Sequence, residues 1–120
     1  MKTAKNSDLL ERTKSFALRI IKMYSSLPKT VVAQVIGKQA LRSGTSPGAQ
    51  YREAHRARSN AEFVSKINGA LQELEETAYW LELLVDSGMI ADARLGPLQQ
   101  ETQELIAIFS SISITAKKHQ

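Results

Sequence analysis

The chain has 120 residues, 42% of them hydrophobic and 23% charged, with no cysteine and a formal net charge of +4. That length supports one hydrophobic core without covalent or metal staples, and the composition excludes wholesale disorder, disulfide scaffolding and thiol or thiolate chemistry. No run approaches the roughly 20 apolar residues of a membrane span, and residues 1–16 lack the continuous apolar stretch of a signal peptide. A cytoplasmic protein is expected.

The first predicted helix spans residues 8–27. Leu9, Thr13, Phe16, Ile20, Tyr24 and Leu27 recur at helical spacing, and Pro28 marks the stop. A second row on the same helix, Leu10, Ala17 and Ile21, is surplus to a single core-facing stripe.

The second predicted helix, residues 30–57, contains SGTSPG, which is strong turn chemistry. Carrying the helical period through it keeps Val32, Ile36, Ala40, Ser43, Pro47, Tyr51 and Ala54 on one face without a phase break. A continuous helix kinked around Gly44, Pro47 and Gly48 is therefore expected, with Ser43, Thr45 and Ser46 available to freed carbonyls. The alternative is a true loop that divides the segment into two shorter helices.

The third predicted helix, residues 60–86, opens on Ser59 and Glu62 in capping-box spacing and closes at Gly88. Its apolar stripe is Phe63, Ile67, Ala70, Leu71, Leu74, Ala78, Leu81 and Val85, with Trp80, Leu83 and Leu84 off the stripe. The fourth, about residues 92–117, begins between Ala91 and Pro97, the proline being tolerable in a first turn, continues through Leu98, Thr102, Leu105, Ile108, Phe109, Ile112 and Ala116, and ends in the basic tail KKH. Four amphipathic segments with short connections predict an all-α, antiparallel up-down-up-down four-helix bundle forming a single domain over residues 1–120.

Two surfaces remain once the core is assigned. Leu10, Leu18, Ile21, Trp80, Leu83 and Leu84 form a second apolar set, expected as an oligomer interface; the alternative is that they widen the core. Lys38, Arg42, Arg52 and Arg56 run broadly opposite the apolar face of the second helix, with Arg58 and His55 close by, where they could meet successive phosphates. Within one chain, pairing of these cations with Glu73 and Glu76 is the better-supported alternative; repeating the stripe around an oligomer shifts that balance.

Chemistry of other kinds finds no support. Only His55 and His119 are available, neither in the Glu-x-x-His spacing of a carboxylate-bridged metal bundle, so no metal or cofactor is expected. There is no nucleophile elbow and no P-loop, and the acidic cluster Glu73, Glu75, Glu76 and Glu82 reads as a solvated or ion-paired face. A non-enzymatic protein is expected.

Residues 41–84 carry a more specific signal in Arg42, Ser46 and Gln50, then Tyr51-Arg52-Glu53-Ala54, Ser59, Phe63, Lys66 and the block Glu73-x-x-Glu76-Thr77-x-x-Trp80-Leu81. In these positions the chain resembles the bacterial four-helix-bundle family associated with intervening sequences in large-subunit ribosomal RNA genes. It is also similar to the accessory proteins of diversity-generating retroelements. The resemblance implies an antiparallel bundle, a ring-like homo-oligomer that is a pentamer, and association with nucleic acid or ribonucleoprotein; it carries no catalytic motif. The expected function is thus a homo-oligomeric scaffold binding RNA or DNA through its basic surface. The alternative is a protein-interaction module, accessory to a reverse transcriptase or other polymerase, with little direct nucleic-acid contact.

Overall fold

A computed structural model describes residues 2–119, with side chains from residue 8 onward. Four helices follow one another, α1 (Lys2–Ser25), α2 (Val31–Ala54), α3 (Asn60–Asp86) and α4 (Asp92–Lys117), and no strand occurs among the described residues. Their contacts establish the directions. Gly37 lies against Leu27 and Tyr24, Gly44 against Ile20 and Gly48 against Thr13, so α2 descends as α1 rises. Arg42 meets Glu76 while Glu53 meets Lys66, which makes α3 antiparallel to α2. Asn68 meets Ser113 while Asn60 reaches Ala116, and Arg12 crosses to Glu101, which completes the up-down-up-down order.

Helix α2 passes unbroken through SGTSPG. Pro47 is buried inside it and cannot donate to the Ser43 carbonyl. One turn earlier, Thr45 Oγ1 donates to the Leu41 carbonyl at 2.8 Å and Ser46 Oγ to the Arg42 carbonyl at 2.7 Å. The buried face of α2 is made largely of small residues, Ala33, Gly37, Ala40, Ser43, Gly44, Pro47 and Ala54, together with Tyr51. Val32 is not on it but is 51% exposed, because α1 approaches the glycines and that contact sets the rotation of the helix.

The ends of α3 are fixed by local chemistry. Ser59 Oγ accepts from Glu62 N at 3.0 Å, while Glu62 Oε1 accepts from Arg58 N rather than from the cap residue itself. At the other end Gly88, with φ +80, lets its N–H reach the Val85 carbonyl and the Met89 N–H reach that of Leu84, the paired bonds of a Schellman stop. Helix α4 begins at Asp92, so Pro97 falls in its second turn rather than its first. The carbonyl deprived of a donor there is that of Ala93, an exposed residue open to water.

Phe16, Ile20, Ile67, Leu74, Leu81, Leu84, Leu105 and Phe109 form the centre of the core. On α3 the buried residues Ile67, Ala70, Leu74, Thr77, Leu81 and Leu84 alternate by three and four, a packing seam centred one row away from the expected stripe. Buried hydroxyls in the core are satisfied internally: Thr13, Thr77 and Thr102 each donate to a carbonyl four residues earlier. The seams are unequal. Helices α2 and α3 form the closest pair, α1 packs on α2 and α4 on α3, while α1 and α4 approach each other least.

Candidate nucleic-acid interface

The five cations expected to form one stripe separate into three environments. Arg42 leans toward α3, donating to Glu76 Oε1 at 2.9 Å and Glu73 Oε1 at 3.3 Å. The hydrogen bond to Glu76, followed by the charge of Glu73, holds this guanidinium more firmly protonated than usual. Just below the pair, Ser43 Oγ and Thr77 Oγ1 lie 2.7 Å apart in the buried seam. Thr77 already donates to the Glu73 carbonyl at 2.8 Å, so Ser43 is the donor between them. Arg42 therefore belongs to the clamp that registers α2 against α3.

Lys38 is exposed on α2 and has no ion-pair partner among the described residues. It precedes Arg52 by 14 residues, about 21 Å along a helix. Arg52, Arg56 and Arg58 cluster where α2 ends and the chain turns toward α3; all three are exposed, and none has an ion-pair partner among the described residues. Glu53, between them in sequence, is engaged by Lys66 at 3.0 Å.

The structure adds residues to this cluster that the helix-by-helix reading left out. Asn60 Nδ2 donates to the Ala116 carbonyl at 2.9 Å, which ties the last turn of α4 to the start of α3. Exposed Lys117 and Lys118 are thereby brought to the same end of the bundle as Arg56 and Arg58. Arg52 and Lys117 also sit in the last turns of their helices, where a cation complements the helix dipole. An open hollow of about 540 Å³ at this end is lined by Tyr51, His55, Ser59, Asn60 and Phe63, among others. His55 packs edge-on to Tyr51 at 4.7 Å, and burial raises the pKa of the Tyr51 hydroxyl.

The second apolar set is also divided. Leu18 and Ile21 are exposed, at 57% and 44%. Leu10, Trp80 and Leu83 are half-buried. Leu84 is fully buried and cannot serve as an interface residue, because it falls on the α3 packing seam with Leu81 and Thr77. Exposed Val31, Val35 and Tyr79 were not among the expected interface residues, and Val32 was assigned to the core. Among the described residues no group of three or more histidines and carboxylates is placed to hold a metal ion, and no helix is long and apolar enough to cross a membrane.

The fold and this end surface define a small antiparallel four-helix bundle with a cationic terminus. The model of the 23S rRNA-intervening sequence protein family matches residues 5–111, and the chain belongs to that family. It is similar to a crystal structure of a protein with unknown function from the S23 ribosomal protein family of Bacteroides thetaiotaomicron, with 39% identity and a TM-score of 0.82 over 87% of this chain and 96% of that one. None of the curated proteins matches. Lys117 and Lys118 lie beyond the residues matched by the family model.

Proposed function

We propose that this chain is a non-enzymatic, self-associating scaffold that binds RNA or DNA through phosphate contacts at its cationic end. The observation that carries the proposal is the gathering of Arg52, Arg56 and Arg58 with Lys117 and Lys118 at one end of the bundle, with no ion pair to any of the five side chains among the described residues. Lys38 extends the same helix face as a distant contact, whereas Arg42 is spent on Glu73 and Glu76 and contributes to register. Few exposed aromatics accompany these cations, so backbone charge and shape, rather than base stacking, would supply the binding. Self-association, as a ring of the pentameric kind implied by the resemblance, would repeat the cationic end several times and strengthen its field. Exposed Leu18, Ile21, Val31, Val32 and Val35 supply apolar surface for it.

Fluorescence-anisotropy titrations of labelled RNA and DNA at two salt concentrations, with mass measured by light scattering, test this function. Binding by an assembly larger than a monomer should weaken steeply with salt. The Arg52→Ala/Arg56→Ala variant should bind more weakly, with a log–log salt slope shallower by roughly one unit for each phosphate it no longer neutralises. An unchanged affinity and slope would remove these residues from the interface.

A second function is favoured by Trp80. Its Nε1 is buried without an acceptor among the described residues, and its ring lies 5.3 Å from that of exposed Tyr79. A protein partner, such as a polymerase, docking beside Trp80 and Leu83 would be captured even at high salt. A Trp80→Ala variant that stays folded and still captures such a partner would count against that site.

A further inference from the structure

The seam between α1 and α4 is bridged midway by Arg12, whose guanidinium meets Glu101 at 2.8 Å and Glu104 at 2.6 Å. Beyond this bridge, toward the end where α1 finishes and α4 begins, the two helices leave an open groove of about 360 Å³. This is the opposite end of a molecule 46 Å long from the arginine cluster of α2. Its rim is formed by Arg19 and Lys22 of α1 and Arg94 of α4, all exposed, and none has an ion-pair partner among the described residues. Its floor is apolar. Met23, Ile90 and Leu98 retain 7%, 6% and 5% of their surface there, whereas central core residues such as Ile20 and Leu105 retain none.

We propose that this groove binds an acidic peptide segment of a partner protein, with an apolar side chain seated between the two helices and carboxylates meeting Arg19, Lys22 and Arg94. Three features of the groove select this occupant. No carboxylate lines it among the described residues, so an incoming anion meets three cations and no opposing charge. Between the cations the lining has no aromatic ring on which a base could stack, and the Ser26 hydroxyl donates to the Met23 carbonyl, whereas Met23, Ile90, Leu95 and Leu98 offer an apolar anchor a seat. The groove is also open to solvent rather than enclosed, so a side chain of a longer segment can enter it while the rest of that segment stays outside.

The test is selection of phage-displayed random 12-residue peptides on the purified chain, with counter-selection on Arg19→Glu/Arg94→Glu. Both substitutions are at exposed positions, and circular dichroism melts verify that the variant folds. Enriched peptides should combine Asp or Glu with a Leu, Ile or Phe anchor. Labelled copies should bind the variant at least tenfold more weakly, and replacing the anchor by Ser should weaken binding as much. Enrichment without acidic residues, or peptides that bind the folded variant equally well, would overturn the proposal. So would a loss of oligomeric mass in the variant, which would make the groove a contact between copies, or a loss of oligonucleotide binding, which would make it part of the nucleic-acid surface. Because the arginine cluster of α2 is untouched, failure here leaves the anisotropy test at the other end independent.

Discussion

Gly44 shows how much of this fold depends on what a residue lacks. A Cβ placed there would lie 2.7 Å from Ile20 Cγ1 and 3.0 Å from both Cδ1 and Cγ2, so the crowding falls on the branched root of a fully buried side chain and not only on its tip. Gly44→Ala recovers about 1 kcal/mol of helix propensity but forces overpacking that typically costs about 1–3 kcal/mol. The expected outcome is a net loss of about 1 kcal/mol in urea unfolding; a stabilised variant would show that α1 can shift away freely. The same residue explains a misreading of the sequence. Hydropathy places Val32 on the buried face together with Ile36, which does pack against the core, but glycine carries no hydropathy signal, and Gly37, Gly44 and Gly48 are where α1 makes its close approach, leaving Val32 exposed. Leu84 was misread for a related reason, since Thr77 hides among the polar residues of α3 although it is fully buried on the same seam. The partnership of Arg42 with Glu73 and Glu76, by contrast, was visible in advance as a charge pairing between α2 and α3.

At the scale of single helices, boundary chemistry was the most legible feature. Ser59 and Gly88 mark the two ends of α3 in sequence and do so in the structure, each by satisfying backbone groups the helix itself leaves open. Ser59→Ala should lower stability by about 1 kcal/mol through loss of the cap. Gly88→Ala should cost about 1–2 kcal/mol, because an L side chain disfavours its left-handed backbone, although no atom stands within 4 Å of the added carbon. Thermal melts of the two variants separate these causes from packing: neither position contributes to the core, so losses well above these values would mean that the ends of α3 do more than terminate it. The passage of α2 through Pro47 was legible only as unbroken phase, because local residue preferences alone favour a loop at SGTSPG. What overrides them is tertiary: Pro47 and Ser43 are buried against neighbouring helices, and packing outweighs one missing backbone bond.

For the molecule as a whole, topology brings together groups that lie far apart in sequence. An up-down-up-down order places the ends of α2 and α4 side by side, so the juxtaposition of Arg56 and Lys117 could have been deduced once the helix order was assigned; the width of the α1/α4 seam could not, since it depends on how the four seams share the available packing. Across that seam, the Glu104 carboxyl is held below its ordinary pKa near 4.5, first by the Gln100 amide and then by Arg12. Since folding lowers this pKa, the unfolded chain takes up the proton more readily. The contribution is complete above the ordinary value and disappears as pH falls through the lower folded one. The difference in Tm between the native chain and Glu104→Gln should therefore be greatest above the ordinary carboxyl pKa near 4.5 and shrink as pH falls below it, modestly for so exposed a pair. A constant difference over that range would dissociate the bridge from acid sensitivity. The unequal seams also set an order of unzipping. Helices α2 and α3 share the closest packing, the buried Ser43–Thr77 bond and the Arg42 clamp, while α1 and α4 each rest mainly on a single neighbour. In native-state hydrogen exchange, amides of α1 and α4 should open in subglobal steps while the central hairpin stays protected until the whole chain unfolds.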